Sequence, residues 1–233
     1  MKNITLSKRL SAAAELCRDG SFIADVGTDH AYLPIYLAKC GKIRGGVASD
    51  INKGPIDRAR AHIAENGLSD VIETRLCDGL SELSGYAPDD IFILGMGGEL
   101  IARIIENAPF VKNKNIRLIL QPMTHSEILR KSLLDGGFSI TVEKLVKEEK
   151  IYRIIVAEYS GERSDYTDVE LTFGRQTIEE RSPLFFELLD HTERVMNERI
   201  CGKRISGADT SEEEKMLGEI EKIRRFEDTE KLK

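Results

Sequence analysis

Short apolar runs rich in branched residues alternate with segments of helical periodicity through the first two thirds of this 233-residue chain. A parallel strand needs a crossover, usually a helix, before the next strand can start, so this alternation predicts a doubly wound α/β fold. The predicted strands lie near 22–27, 45–50, 71–77, 91–95, 116–121, 138–146 and 151–159, and the predicted helices near 31–40, 54–66, 98–108 and 126–136.

The last two apolar runs are joined differently from the others. Only the polar segment Lys147–Lys150 separates them, which is too short for a crossover helix, so they are expected to pair antiparallel as a hairpin. A parallel sheet that ends in such a hairpin is typical of class I methyltransferases and is seldom found in dehydrogenases. We therefore predict a Rossmann-like sheet of this class.

The periodicity changes after residue 160, so we predict a sheet domain over 1–160 and a helical domain over 161–233. Ser182 and Pro183 form a favourable helix start, and Thr210 with Glu213 forms a capping box at a second start. Apolar residues recur at helical spacing for about two heptads in each segment, which favours a coiled-coil-like antiparallel hairpin over an extended coiled coil. This hairpin is either a structural appendage or an arm that binds a partner.

Composition limits the classes to which the chain can belong. It has 41% apolar residues but no run near the roughly 18 that span a membrane, and its first residues lack the apolar core of a signal peptide. We expect a soluble cytoplasmic protein without a membrane partner. The formal net charge is −6, and the acidic excess lies in residues 161–233, with 13 basic against 19 acidic side chains. This is not the pattern of an overtly basic nucleic-acid binder.

The four cysteines are too widely spaced for a paired metal or redox motif, and we expect all of them to be buried and inert: Cys17, Cys40, Cys77 and Cys201. The histidines show no pairing typical of metal ligands. No metal site is predicted.

The segment Asp25–Pro34 joins the first apolar run to the first helix through a glycine turn, an arrangement that often cradles a nucleotide-like ligand. In a dinucleotide fingerprint the second glycine lets the backbone approach a pyrophosphate, but here that position, counted from Gly27, holds Asp29 and the third holds Tyr32. A carboxylate would repel a diphosphate and would tolerate S-adenosylmethionine, which carries a sulfonium and an ammonium group. The pattern predicts S-adenosylmethionine and disfavours a nicotinamide dinucleotide.

Acidic residues also follow the next two predicted strands. Asp50 is placed to hydrogen-bond ribose hydroxyls, and Asp78 is placed to accept from an adenine amino group. The carboxyl ends of parallel strands share one edge, so these acids should face one crevice with those of the first turn. The predicted cofactor-binding residues are Asp25, Gly27, Asp29, His30, Asp50, Ile51, Asp78, Gly79, Gly95, Met96 and Gly97.

The fourth and fifth predicted strands are followed by glycines and by a glutamine rather than by acids. The glycines of the segment 95–98 would let a flat base and the sulfonium approach the backbone closely, or would serve tight packing at a helix start. Gln121 offers both a donor and an acceptor to the edge of a base. We take Gln121 and Tyr32 as candidates for substrate binding.

These motifs together resemble those of the bacterial tRNA (adenine(22)-N1)-methyltransferases, and the resemblance covers nearly the whole chain. It implies a Rossmann-like, S-adenosylmethionine-dependent enzyme that modifies the tRNA D-arm and whose C-terminal domain helps to hold the RNA. The motifs that carry it are Asp25–Pro34, Asp50 with Gly54–Pro55, Asp78–Leu80, Gly95–Gly98, Leu120–Pro122 with Leu129–Arg130, and Gly137–Phe138.

Asp29 and His30 are the catalytic candidates. Asp29 would accept a hydrogen bond from the exocyclic amine as positive charge develops on the adenine, or would hold the ammonium group of the cofactor. His30 is either part of the site or a core or capping histidine. In the C-terminal hairpin, Lys203 and Arg204 lie in an expected turn over 201–207, with the acids mostly elsewhere, and are candidates for contact with the tRNA backbone.

Two other functions stay open at this point. One is a small-molecule methyltransferase whose hairpin mediates dimerisation. The other is a cofactor-binding protein that interacts with RNA without catalysis. The sequence does not decide the oligomeric state.

Overall fold

The computed structural model describes residues 4–230. The chain divides into two compact units between Asp165 and Tyr166. The boundary expected from the sequence lies a few residues earlier, between 160 and 161.

The first unit contains one seven-stranded sheet in the order β3-β2-β1-β4-β5-β7-β6. The strands are β1 Ser21–Val26, β2 Ile43–Asp50, β3 Ile72–Leu76, β4 Asp90–Met96, β5 Arg117–Pro122, β6 Phe138–Lys147 and β7 Ile151–Tyr159. Strands β1 to β5 are parallel, while β7 pairs antiparallel with both β5 and β6. The chain order reverses between β1 and β4, and a ligand crevice is expected beyond the carboxyl ends of strands at such a switch point.

Helices cover the sheet, and one of them was not expected from the sequence. The helices of the first unit are α1 Lys8–Glu15, α2 Tyr32–Lys39, α3 Lys53–Glu65, α4 Gly98–Glu106 and α5 Ser126–Asp135. Helix α1 is short, and its only cap signal is Ser7, whose hydroxyl accepts from the Leu10 N–H at 3.4 Å. Its buried alanines share a core cluster with residues of β7, so tertiary packing stabilises it.

The two faces of the sheet carry separate cores. In β4, Ile91 and Ile93 pack into the cluster that contains α4 and α5, whereas Phe92 packs with α1 and α2 residues on the other face. A strand covered on both faces is apolar throughout rather than alternating. This explains the continuous apolar runs from which the parallel strands were predicted.

The second unit is helical, with α6 Asp168–Phe173, α7 Arg175–Glu180, α8 Pro183–Ser206 and α9 Ser211–Glu230. Arg224 pairs with Asp190, and Lys203 pairs with Glu213 at 2.8 Å, so the two long helices run antiparallel. Helix α8 continues through the predicted turn and ends at Ser206, with Gly207 at φ +71° as its C-cap. The sequence did not predict the six-residue helices α6 and α7.

Two expectations about individual residues of the chain are wrong or only partly right. Cys17 and Cys77 are buried, but Cys40, the C-cap residue of α2, and Cys201, within α8, are exposed. The capping box expected from Thr210 and Glu213 at the start of α9 does not form. The Thr210 hydroxyl donates to Glu214 at 2.9 Å, and the Glu213 carboxylate accepts from Lys203.

Within residues 4–230, we find no helix with both the length and the apolar character needed to cross a bilayer. The same part of the chain contains no cluster of three or more His, Cys, Asp or Glu side chains placed to hold a metal ion.

Candidate active site

The turn after β1 is built around Gly27. Its φ of +78° favours glycine, and a Cβ added there would lie 2.1 Å from the Cε atom of Met96. The N–H groups of Gly27 and Thr28 donate to the Ser49 carbonyl at 2.8 and 2.9 Å, which fixes the turn on the end of β2. A side chain at this position would be strained by the positive φ and would displace the end of the Met96 side chain.

The start of α2 presents an aromatic cluster. The His30 and Tyr32 rings are stacked with centroids 5.2 Å apart, and His62 meets Tyr32 edge to face at 5.1 Å. His62 Nδ1 is 2.8 Å from the His30 carbonyl oxygen, so α3 holds the turn in place. Tyr32 is 44% exposed, which leaves much of this cluster open to a ligand.

The two acids of the turn have opposite environments. Asp25 is buried, and burial raises the pKa of its carboxyl group to about 6. A hydrogen bond with Thr28 lowers this pKa but has the smaller effect. The side chain of Asp29 is 62% exposed and pairs with Arg58, with a second contact of 3.4 Å to His30 Nε2. The hydrogen bond from the Arg58 guanidinium lowers the pKa of Asp29. Asp29 is therefore ionised at neutral pH, while Asp25 titrates near it.

Two further acids lie at the ends of the strands next to β1 in the sheet: Asp50 ends β2, and Asp78 lies just after β3. Asp50 Oδ1 accepts from the Asn52 N–H at 2.7 Å, and the following Ile51 is 61% exposed. Asp78 is exposed, and Gly79 has φ +56°, where an added Cβ would lie 3.1 Å from the Ile104 side chain. Because β3, β2 and β1 are neighbours in the sheet, these acids share its carboxyl edge.

The glycines after β4 have distinct roles. Gly95 has φ +77° and lies at a register irregularity between β4 and β5. A Cβ at Gly98 would lie 2.1 Å from the His125 carbonyl oxygen, so this glycine is required for packing of the α4 start against the loop after β5. The packing alternative is therefore the correct one at Gly98. For Gly95 and Gly97, contact with a ligand stays a prediction.

Gln121 does not present its amide to the crevice as expected. The side chain is fully buried; Oε1 accepts from Arg9 Nη1 at 2.6 Å, and Nε2 donates to the Pro122 carbonyl at 2.9 Å. Both polar atoms are thus engaged within the protein. The cause is Arg9 on α1, a partner 112 residues away that no local motif announces.

A cavity of about 210 Å³ gathers most of these groups at the end of β1. Its lining includes Arg9, Asp25, Gly27, Asp29, His30 and Tyr32. A second cavity of about 300 Å³ is lined by Asp78 and Gly79 together with residues of α4. Arg9, Arg58 and His62 are the site residues that the sequence did not indicate.

The candidate RNA contacts in the second unit have acidic partners. Lys203 pairs with Glu213 and Arg204 with Glu214, at 2.8 and 3.0 Å. The expectation that the acids lie mostly elsewhere is therefore wrong at this end of the hairpin, because the antiparallel arrangement brings the acidic start of α9 opposite the basic end of α8. The side chain of Arg204 is still 68% exposed.

The sheet order and the acids at its carboxyl edge define the class of this protein as a Rossmann-like methyltransferase. Residues 6–155 match the family described as a methyltransferase domain. The chain is 33% identical over 226 residues to the tRNA (adenine(22)-N(1))-methyltransferase of Bacillus subtilis (strain 168), with 94% of each chain covered. This chain belongs to the tRNA (adenine(22)-N(1))-methyltransferase family, and the resemblance seen in its motifs is confirmed.

Solved structures agree with this assignment. Streptococcus pneumoniae Sp1610 in complex with S-adenosyl-L-methionine has a TM-score of 0.83 and 32% identity, covering 93% of this chain and 99% of that chain. M. capricolum TrmK in complex with S-adenosyl-homocysteine has a TM-score of 0.78 and 26% identity, covering 96% and 98%. The predicted fold class is confirmed.

Proposed function

We propose that this protein transfers a methyl group from S-adenosylmethionine to N1 of the adenine at position 22 in the D-arm of tRNA. Family membership supports the reaction. The observation that supports it in this chain is the row of carboxylates at the ends of β1, β2 and β3, beside the switch point of the sheet. A tRNA substrate also implies that the protein acts in the cytoplasm.

The side chains at this edge fit the cofactor. Asp50 is half-buried and suited to the ribose hydroxyls, and the exposed Asp78 is suited to the adenine amino group. Asp25 supplies negative charge beside the cavity at the end of β1, where an ammonium or sulfonium group would be stabilised. The same charge would oppose a diphosphate.

The reaction requires orientation more than proton transfer. Neutral adenine has an in-plane lone pair on N1, which forms the new bond to the methyl carbon while the carbon–sulfur bond breaks and its electron pair goes to sulfur. Holding the two atoms in line contributes several kcal/mol to the rate enhancement. S-adenosylmethionine supplies the electrophilic methyl group.

Asp29 is the residue that we assign to charge stabilisation. Arg58 keeps it ionised, and positive charge spreads over N1 and the exocyclic amine as the bond forms, so a carboxylate accepting from that amine lowers the barrier. The exposed Tyr32 ring, stacked on His30, offers a surface on which the adenine can lie. N1 is on the pairing edge, so the base must leave its stack first.

A methyl-transfer assay tests the proposed reaction. The full chain is incubated with unmodified tRNA and S-adenosylmethionine tritiated on the methyl group, and the tRNA is digested to nucleosides. The proposal predicts label in 1-methyladenosine. Label in another nucleoside would contradict the assigned chemistry, and cofactor binding without any transfer would favour a protein that interacts with RNA without catalysis.

The helical hairpin is proposed to contact the tRNA backbone through Lys203 and Arg204. Replacing both with Glu should weaken tRNA binding and flatten its salt dependence, because phosphate contacts release counterions. Cofactor affinity should be unchanged. The double variant Lys222→Glu/Arg225→Glu on α9 carries the same change of charge and serves as the control. Equal tRNA affinity of parent and Lys203/Arg204 variant at two salt concentrations would remove this end of the hairpin from the interface.

A further inference from the structure

The Arg9 guanidinium has one nitrogen that is hydrogen-bonded within the protein and one that is buried without a hydrogen-bond partner among the described residues. Its Nη1 atom donates to Gln121 at 2.6 Å, its backbone N–H donates to Glu148 at 2.7 Å, and its guanidinium lies 5.3 Å from the centre of the Tyr152 ring. Its Nε atom is buried and has no hydrogen-bond partner among the described residues. A buried donor without an acceptor is costly, and Arg9 also lines the cavity at the end of β1, so a ligand bound there can provide an acceptor for its guanidinium.

The cavity that Arg9 lines also contains Asp25 and Asp29. A guanidinium and the buried Asp25 carboxylate around so small a space match a zwitterion, whose ammonium group faces the acid and whose carboxylate faces the arginine. Arginine is particularly suited to a carboxylate, because its planar donors form charge-assisted hydrogen bonds with both oxygens. The methionine end of S-adenosylmethionine is such a zwitterion.

We propose that Arg9 binds the carboxylate of the methionine moiety of S-adenosylmethionine, and that Gln121 is a positioning residue that orients Arg9. This inference rests on the proposed function. Gln121 suits the role because its amide is locked between the Arg9 guanidinium and the Pro122 carbonyl, which fixes the acceptor toward α1. Gln121 therefore acts on the cofactor through Arg9 and not on the adenine base.

Calorimetric titration with two ligands tests the contact. Decarboxylated S-adenosylmethionine keeps the adenosine, the sulfonium and the ammonium and lacks only the carboxylate. A charge-assisted hydrogen bond corresponds to about 10- to 100-fold in affinity, so the parent should prefer the intact cofactor by about this factor. Arg9→Met should lose this preference, with intact cofactor weakened and decarboxylated cofactor bound within about twofold of parent. Lys8→Met, an exposed residue on the same helix, is the matched control and should retain the preference.

Gln121→Met keeps the volume of the side chain and removes the acceptor, so it should reduce the preference for the intact cofactor without abolishing it. Thermal unfolding of each variant establishes that it is folded, and Arg9→Gln, which also removes the charge, replaces Arg9→Met if the latter is not. An Arg9 variant that weakens both ligands equally would overturn the proposal and make Arg9 a packing residue, as would a parent that does not distinguish them. A parent that binds neither ligand would overturn the proposed function as well.

Discussion

The two halves of the crevice use their polar groups in opposite ways. Beside β1, β2 and β3, the carboxylates of Asp29 and Asp78 are exposed and the Asp50 carboxylate is half-buried. Beyond β4 and β5, the residues are fixed by contacts within the protein. The Gln121 amide is hydrogen-bonded to Arg9, and Gly98 packs against the His125 backbone. We call these the open half and the locked half. The open half can change partners when a ligand arrives, whereas the locked half sets the geometry against which the ligand is placed.

The elements that follow β5 in the chain also hold a buried ion pair, which we include in the locked half. Arg130 on α5 and Glu143 on β6 have side chains that are 2% and 3% exposed, with an Nε to Oε1 distance of 2.7 Å. Burial, and then the nearby charge of Arg130, lower the pKa of Arg153 to about 10. Two guanidiniums thus lie close to the Glu143 carboxylate in a poorly solvated region.

The largest expected effect is on stability, in the locked half. Glu143→Leu leaves buried positive charge without its counter-ion and should lower the free energy of unfolding by about 3 to 5 kcal/mol, as measured by urea denaturation. The double variant Arg130→Met/Glu143→Leu removes both charges and should lose less than the single variant. If the unfolding free energy of the single variant lies within about 1 kcal/mol of that of the parent, the ion pair does not stabilise this half of the molecule.

The next effect is on turnover, in the open half. Asp29→Asn keeps the size of the side chain and removes its charge, so the protein should fold normally while the single-turnover rate of methyl transfer falls by about 100-fold. Asp57→Asn, an exposed acid on α3, is the control. Equal rates for the Asp29 variant and the parent would rule out an electrostatic role for Asp29.

The affinity for the cofactor should fall when the Asp50 carboxylate is removed. Asp50→Ala leaves the ribose hydroxyls without their acceptor and should weaken binding of S-adenosylmethionine by about 1.5 to 3 kcal/mol in calorimetry, the range for hydrogen bonds to charged groups. Its unfolding free energy should change by less than about 1 kcal/mol, because the side chain is only half-buried. The assignment fails if affinity is unchanged.

The smallest effect is a dependence on pH through Asp25. Its pKa is raised to about 6 by burial, so in the unbound protein it is mainly protonated at pH 5 and mainly ionised at pH 7. A cationic ligand favours the ionised form, and affinity for S-adenosylmethionine should therefore rise by about tenfold from pH 5 to 7 and level off above. Asp25→Asn should flatten this profile, and His30→Gln tests whether the neighbouring histidine contributes. A parent profile that is flat or falls would contradict the role of Asp25.

The open half was predictable from the sequence because each of its residues lies at the end of a strand or within three residues of it. The position of Asp50 is set by the end of β2, and that of Asp29 by the Gly27 turn, so local pattern was enough to place both on one edge. The acid partner of Lys203, by contrast, depends on the register of two helices.

The locked half was not predictable in the same way. The role of Gln121 depends on Arg9, which lies on a helix of eight residues stabilised by tertiary packing. The requirement for Gly98 depends on a loop that follows another strand. Sequence pattern drew attention to these positions but could not supply the distant partners that fix their side chains or their conformation.

Mapping the modified position in tRNA is the sharpest test of the proposed reaction. Two tRNA transcripts that differ only in having adenine or guanine at position 22 are treated with the protein and S-adenosylmethionine, and then copied by reverse transcriptase. A methyl group on N1 blocks pairing, so we expect a stop at position 22 in the adenine transcript alone, present with the parent and strongly reduced with Asp29→Asn. A stop at another position, or full-length copies of a transcript treated with cofactor-binding protein, would contradict it.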